Sequence, residues 1–354
     1  MDTLFRSDLH NLSRRDFLKL TGTAILGLSW LPFRDEFSHV ANLDTVEMPS
    51  LGRILVDRAL VYDKASLSGK ILKAFQRDLV LPITAVTVGD GEPSYNRLWY
   101  KMNNEGFVHS GSVQPVEIKQ NVPLHSIPST GLLAEVTVPF TDTMWNLRLS
   151  YSHAYRLYYS TVHWITGIDV DEKGKNWYRI FDDKWDLYYR GEPAHFRPIT
   201  VDEVKPLSPE IPLTEKRLEI HLEKQVVIAY EHNIPVFMTR TATGAHFSDG
   251  DYTTPMGKYM TNRKRPSRHM AAGDRAAPNS YDLPGIPWVC YLTKSGISFH
   301  GTYWHNDFGK PRSHGCINLS PAAAKWIYRW TLPVVPFDQT FYDDDTGTSV
   351  QIMQ

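Results

Sequence analysis

Arg217-Leu218-Glu219-Ile220-His221-Leu222 alternates polar with apolar side chains, the two-residue period of a strand that buries one face. Gln225–Tyr230 and Pro235–Arg240 supply two further strands, and the apolar run Ile286–Leu292 predicts a buried one. Upstream, Gly52–Asp57, Ile83–Val88, Arg97–Met102 and Gly106–His109 read as short strands punctuated by turns such as Gly89-Asp90-Gly91. Lys175–Ile180 repeats a Trp-Tyr-basic-aliphatic order, with Trp177 78 positions after Trp99. Fixed-distance self-similarity of this kind marks either a duplicated unit or chance in an aromatic-rich chain. The clear helix start is Ser320 followed by Pro321 and three alanines, an N-cap with proline at the first helical position. Many short strands and a single helix predict a mainly β protein.

The punctuation also divides the chain. Residues 1–34 form a signal segment and 35–50 a polar linker, followed by β-rich domains at 51–120 and 121–205. Pro206–Pro212 is proline-dense and predicts a stiff linker over 206–215. A further β domain is expected over 216–340, and 341–354, with Asp343-Asp344-Asp345, reads as an acidic tail. Arg263–His269 is strongly basic and reads as a solvated loop, or else as a lid whose cations meet carboxylates. The order Trp-Tyr-Lys, turn, Gly-Phe-Val in 99–108 resembles bacterial SH3-like barrels, and the block around Trp177 is a second copy without a clear Gly-Phe-Val partner.

Ser13-Arg14-Arg15-Asp16-Phe17-Leu18-Lys19 matches the twin-arginine export signal at every position. The apolar run after it, Thr21–Leu31, is too short to span ~30 Å of hydrocarbon. The expected partner of Arg14 and Arg15 is the twin-arginine translocation machinery, and the expected location is the cell envelope or the extracellular face. The formal net charge of −1 gives no reason to expect nucleic acid as a partner. With two cysteines, Cys290 and Cys316, the chain lacks the cysteine density of a disulfide framework. Cys290 lies in the apolar run 286–292 and reads as a free core thiol.

Cys316 is different. It sits in Lys310-Pro311-Arg312-Ser313-His314-Gly315-Cys316-Ile317-Asn318, with His300, His305 and His314 upstream within sixteen positions. A thiol is a good nucleophile as thiolate, and a nearby imidazole is the usual way to make one near neutral pH. Gly315 allows a sharp bend that could aim consecutive N–H groups at one oxyanion. In Lys294–His300, alternation puts Ile297 and Phe299 on one face and Ser298 and His300 on the other.

This constellation resembles the active-site signature of the L,D-transpeptidases, bacterial enzymes with a YkuD-type catalytic domain that cross-link peptidoglycan. The signature is a histidine, a spacer, then Ser/Thr-His-Gly-Cys, an aliphatic residue and Asn or Arg. Here twelve residues separate His300 from Ser313, slightly fewer than the family's spacing, and Thr254-Pro255-Met256-Gly257 matches its Thr-Pro-x-Gly turn. The resemblance covers roughly 216–337. It implies a catalytic β-sandwich with one C-terminal helix, preceded by one or two SH3-like barrels. It also implies Cys316 as nucleophile, His300 as general base and the Gly301 carbonyl orienting its ring. The N–H groups of His314, Gly315 and Cys316 would form the oxyanion hole. Ser295, Gly296, Asn318 and Tyr281 would contact substrate. The partners implied are donor and acceptor stem peptides, with no cofactor and no metal. Transfer to an amine makes a transpeptidase, and transfer to water an L,D-carboxypeptidase. A non-catalytic wall-binding scaffold is a third class, against which the intact Cys–His pair argues. His300, His305, His314 and Cys316 also suit zinc by type, but His-x4-His with His-x-Cys is not a common zinc spacing. His305 itself reads as a structural or rim histidine.

Overall fold

The structure is a computed structural model that describes residues 50–148, 152–273 and 280–354. The twin-arginine motif and nearly all of the linker after it lie outside the described residues. What is described belongs to one compact unit, Met48–Gln354. Among the described residues, no helix is long and apolar enough to cross a membrane.

Among the described residues, three large sheets follow one another along the chain. The first contains β1 (Leu51–Ile54), β2 (Arg58–Tyr62), β3 (Ile71–Gln76), β4 (Val80–Val88), β5 (Leu98–Met102), β6 (Phe107–His109) and β7 (Val113–Val116). Their order is β3-β2-β6-β5-β4-β1-β7. The second contains β8 (Leu132–Val136), β9 (Phe140–Met144), β10 (His153–Tyr158), β11 (Val162–Val170), β12 (Asn176–Asp182), β13 (Leu187–Gly191) and β14 (Phe196–Pro198). Its order is β10-β9-β13-β12-β11-β8-β14, so each strand takes the place of the strand seven before it. The Trp-Tyr repeat therefore marks two units of the same topology. Tyr100 and Tyr178 are buried at equivalent places in two separate cores, one around Ile54, Val61 and Met102, the other around Val136, Ile165 and Ile180.

The third sheet contains β15 (Lys216–His221), β16 (Val226–Glu231), β17 (Ile234–Arg240), β20 (Gly257–Ala272), β21 (Tyr281–Tyr291), β22 (Ser298–Gly301), β23 (Ile317–Leu319) and β24 (Tyr342–Met353). A two-stranded ribbon, β18 (His246–Phe247) with β19 (Gly250–Asp251), stands apart from it. The strand order is β17-β16-β15-β24-β20-β21-β22-β23. Leu218, Ile220 and Val227 near one end of the sheet share a core with Phe299, Ile317 and Leu319 at the other. The sheet thus folds over itself as a sandwich. Helix Pro321–Trp330 plugs it, burying Ala323, Ala324, Ile327, Tyr328 and Trp330. Ser320 caps the helix as its sequence predicts, its hydroxyl accepting Ala323 N–H at 3.3 Å.

Two expectations are corrected. Residues 341–354 are no tail: β24 lies inside the sheet, parallel to β15 (Leu218↔Val350, Ile220↔Ile352) and antiparallel to β20 (Tyr259↔Val350). The acidic run Asp343–Asp345 hides this, because the buried alternation starts only beyond it, at Thr348, Val350 and Ile352. The basic stretch 263–269 is neither loop nor lid but the middle of β20. Lys264 is 1% exposed, and its Nζ donates to the carbonyls of Tyr328, Thr331 and Pro333 at 2.5, 2.8 and 2.7 Å. A cation at the negative end of the helix is favourable there, although burial pulls its pKa down to about 8. Arg265 and Arg268 reach Asp183 at 3.2 and 2.6 Å, and His269 lies between Asp182 at 2.7 Å and Asp282 at 2.5 Å. The charges of this strand dock the second β unit onto the third sheet.

Candidate active site

The site forms where β22 and β23 run parallel with His300 opposite Asn318. Phe299, Ile317 and Leu319 face the core on one side, as the sequence alternation predicts. His300, Asn318, Ser298 and Cys316 share the other side. His300 is 2% exposed, and its Nδ1 lies 3.1 Å from the Gly301 carbonyl. That contact requires the proton on Nδ1 and leaves Nε2 as the basic nitrogen. Burial lowers the His300 pKa to about 4, the Gly301 carbonyl opposing the shift, so the ring is neutral at neutral pH. Gly301 has no room for a side chain, since a Cβ would stand 2.6 Å from Pro287.

Cys316 Sγ lies 3.8 Å from both Ser298 Oγ and the Gly296 carbonyl. Among the described residues, no hydrogen bond joins it to His300. Burial raises the thiol pKa, and backbone and side-chain hydrogen bonds from Ser298 pull it back. Thiol and imidazole thus rest as neutral neighbours.

The turn is built for a fixed backbone. Gly315 has φ +106°, in the region that favours glycine. Thr254, from the Thr-Pro-x-Gly turn, donates its hydroxyl to the Gly315 carbonyl and accepts Gly244 N–H, both at 2.8 Å. Ser313 Oγ donates to the Cys316 carbonyl at 2.5 Å. Segment 241–245 backs the turn: Arg312 and Ser313 N–H donate to the Thr243 carbonyl, and Ala245 N–H to the Ser313 carbonyl. Gln225 locks Thr243 in turn, through its backbone N–H at 2.8 Å and its hydroxyl at 2.7 Å. Among the described residues, no backbone hydrogen bond consumes the N–H groups of His314, Gly315 or Cys316.

The His314 side chain packs among aromatic rings. Its exposed ring stacks on Phe247 of the ribbon, with centroids 4.8 Å apart, and meets Tyr252 edge-on at 4.5 Å. Tyr281 approaches the same ring at 6.2 Å. Gly296 borders the thiol, whereas the exposed Ser295 hydroxyl bonds Thr293 at the rim. The structure therefore gathers Cys316, His300, Gly301, Gly315, Gly296, Asn318 and Tyr281 and leaves Ser295 at the edge. Among the described residues, no group of three or more His, Cys, Asp or Glu side chains is placed to hold a metal ion. Cys290 and Cys316 are both free thiols.

Sequence reasoning assigned no role to Ser298, Thr243 or Gln225. Ser298 was legible from its alternation with His300. Gln225 was not, because its bonds to Thr243 span eighteen residues. The connection between β22 and β23 is held by the first β unit in the same long-range way. Arg53, 2% exposed, donates to the Tyr303 carbonyl at 2.7 Å, and Asn306 donates to the Val113 carbonyl at 3.1 Å. Tyr95 Oη donates to Asp307 at 3.2 Å, and Arg312 and Lys310 reach the same carboxylate at 2.7 and 3.0 Å.

Residues 215–352 match the family model of the L,D-transpeptidase catalytic domain, YkuD. No curated protein matches the chain. Among solved structures, the L,D-transpeptidase of Enterococcus faecium aligns at 19% identity over 39% of this chain and 50% of that one, with a TM-score of 0.30. The L,D-transpeptidase of Xylanimonas cellulosilytica aligns at 25% identity over 39% and 60%, with a TM-score of 0.29. That of Mycobacterium smegmatis aligns at 18% over 50% and 77%, with a TM-score of 0.32. The chain spans about half the length of the Enterococcus faecium protein.

Proposed function

We propose that this chain is an exported peptidoglycan L,D-transpeptidase in which Cys316 carries the acyl group. The observation that carries the reading is the Ser-His-Gly-Cys turn beside a His300 whose Nδ1–H is tied to the Gly301 carbonyl, within a segment matching the L,D-transpeptidase family model. His300 Nε2 takes the Cys316 proton as Sγ attacks the carbonyl carbon of the third stem residue. The oxyanion is met by the N–H groups of His314, Gly315 and Cys316. The proton passes to the departing D-alanine amine as the C–N bond breaks, leaving a thioester. The side-chain amine of a second stem then attacks the thioester, and the thiol is restored with a new amide cross-link.

Because thiol and imidazole are both neutral at rest, proton transfer accompanies attack, and the pair closes when substrate is bound, as catalytic hydrogen bonds do. Arg14 and Arg15 address the chain to the twin-arginine route, which delivers it to the peptidoglycan. A strained β-lactam carbonyl of carbapenem type fits the same attack.

The test is mass spectrometry of muropeptides incubated with the purified protein. A dimer joined through third-position residues is expected; trimmed tripeptides select the hydrolytic enzyme, and no change rejects both. Cys316→Ala should abolish turnover and the carbapenem mass adduct, while Cys290→Ala keeps most of each. Equal loss in the two variants contradicts the assignment.

A further inference from the structure

His305 lies in the β22–β23 connection at 3% exposure and uses both ring nitrogens. Asp307 N–H donates to its Nδ1 at 3.3 Å, so Nδ1 carries a lone pair. A second proton there would set two N–H groups against each other, so the ring proton resides on Nε2. Nε2 faces the side-chain amide of Asn318 at 3.0 Å, and an N–H at that point must meet an acceptor. The amide atom against His305 is therefore Oδ1, the oxygen and nitrogen of an amide being assigned from the network around them. The opposite end of the amide is then the NH2. That end is buried and without a partner among the described residues. Asn318 itself is 2% exposed, stands in register with His300 and follows Cys316 by two residues, so its side chain shares their face. A buried amide left unpaired keeps its full desolvation penalty, which is removed when a ligand supplies the missing acceptor.

We propose that His305 is a positioning residue: it turns the Asn318 amide so that Nδ2 donates into the site, to a carbonyl oxygen of the bound peptide. The inference rests on the reading of Cys316 as carrier of a peptide acyl group. Asp307, which fixes the tautomer of His305, is itself held by Arg312, Lys310 and Tyr95. The first β unit thereby reaches the Asn318 amide through two hydrogen-bonded neighbours.

The experiment compares H305L, H305Q and N318A on a stem tetrapeptide donor, with iodoacetamide alkylation of Cys316 measured in parallel. H305L should lower kcat/KM about 10²- to 10³-fold, the scale of losing one oriented donor. H305Q should recover most of that loss, because its amide offers N–H to Asn318 Oδ1 and an oxygen to Asp307 N–H. Alkylation needs the thiol and its base but no peptide carbonyl, so it should stay within about twofold throughout. In an N318A background, H305L should add nothing further. Multiplicative losses in the double variant, or alkylation falling in step with peptide turnover, overturn the proposal. The 15N shifts of His305 in the wild-type protein decide the tautomer without turnover: Nε2 protonated and Nδ1 bare is expected, and the reverse overturns the proposal. A wild type inactive on every stem peptide rejects the functional reading instead, and the tautomer then decides the orientation alone.

Discussion

His300 shows how one contact sets a chemical role. The Gly301 carbonyl takes its Nδ1 proton, and burial holds the ring neutral with a pKa of about 4, so the free Nε2 is a base at any pH above that value. The acid limb of kcat/KM should accordingly fall near pH 4, below the usual histidine range, because only the deprotonated ring accepts the thiol proton. His300→Gln should lower the acylation rate by about 10²- to 10⁴-fold, the usual contribution of a positioned base. His314→Gln should cost much less, since that ring stacks on Phe247 at the surface. Rapid-quench acylation measured by intact mass separates the two, and a larger loss in His314→Gln makes that residue the base.

At the scale of elements, β24 is the strand whose sequence conceals it. Its buried residues Val350 and Ile352 fill the sandwich between β15 and β20, while Asp343 and Asp345 face water. Ile352→Ala should destabilise the protein by about 2–5 kcal/mol, as a core truncation does. Asp345→Ala, on the same strand, should change stability by no more than about 0.5 kcal/mol. Denaturant unfolding measures both, and two neutral substitutions would return 341–354 to the status of a tail. The β5 and β12 strands were readable in advance because each Trp-Tyr pair lies beside a local turn. β24 was not, because its partners lie far away in sequence, Tyr342 pairing with Lys264 and Ile352 with Gly257.

At the scale of the whole molecule, buried neutral histidines couple the units to pH. Burial lowers the pKa of His163 in the second unit to about 3, of His300 to about 4 and of His305 to about 3. Each folded value lies below the ordinary 6.5, so the unfolded chain binds more protons between pH 6.5 and pH 4. Stability is full above pH 6.5 and falls as pH drops through that window. The loss amounts to several kcal/mol in all, since each tenfold weakening of proton affinity on folding is worth about 1.4 kcal/mol. His269 acts in the opposite sense. Asp182 and Asp282 raise its pKa against burial, so its contribution is full below 6.5 and fades as pH rises through its folded value. The melting temperature should drop by roughly 10 °C or more from pH 6.5 to pH 4.5, and a flat profile by calorimetry would sink this account.

The sequence by itself determined the local elements and the candidate chemistry. Ser313–Asn318 with His300 carries the proposed nucleophile, the proposed base and the glycine bend in short range, and Ser320-Pro321 starts the helix through contacts within one turn. Alternation placed His300 and Ser298 on one face because side-chain direction in a strand has period two. Tertiary structure alone decided what depends on partners far along the chain. Lys264, in a run that reads as solvated, is buried because carbonyls at and just past the end of a helix, 64 to 69 residues later, satisfy its ammonium. Arg53 reaches Tyr303 across 250 residues, Thr254 braces the Ser-His-Gly-Cys turn at Gly315 across 61, and Gln225 locks Thr243 behind that turn across 18. Period and capping are written in neighbouring residues, whereas burial of a charge is decided by whichever distant groups fold over it.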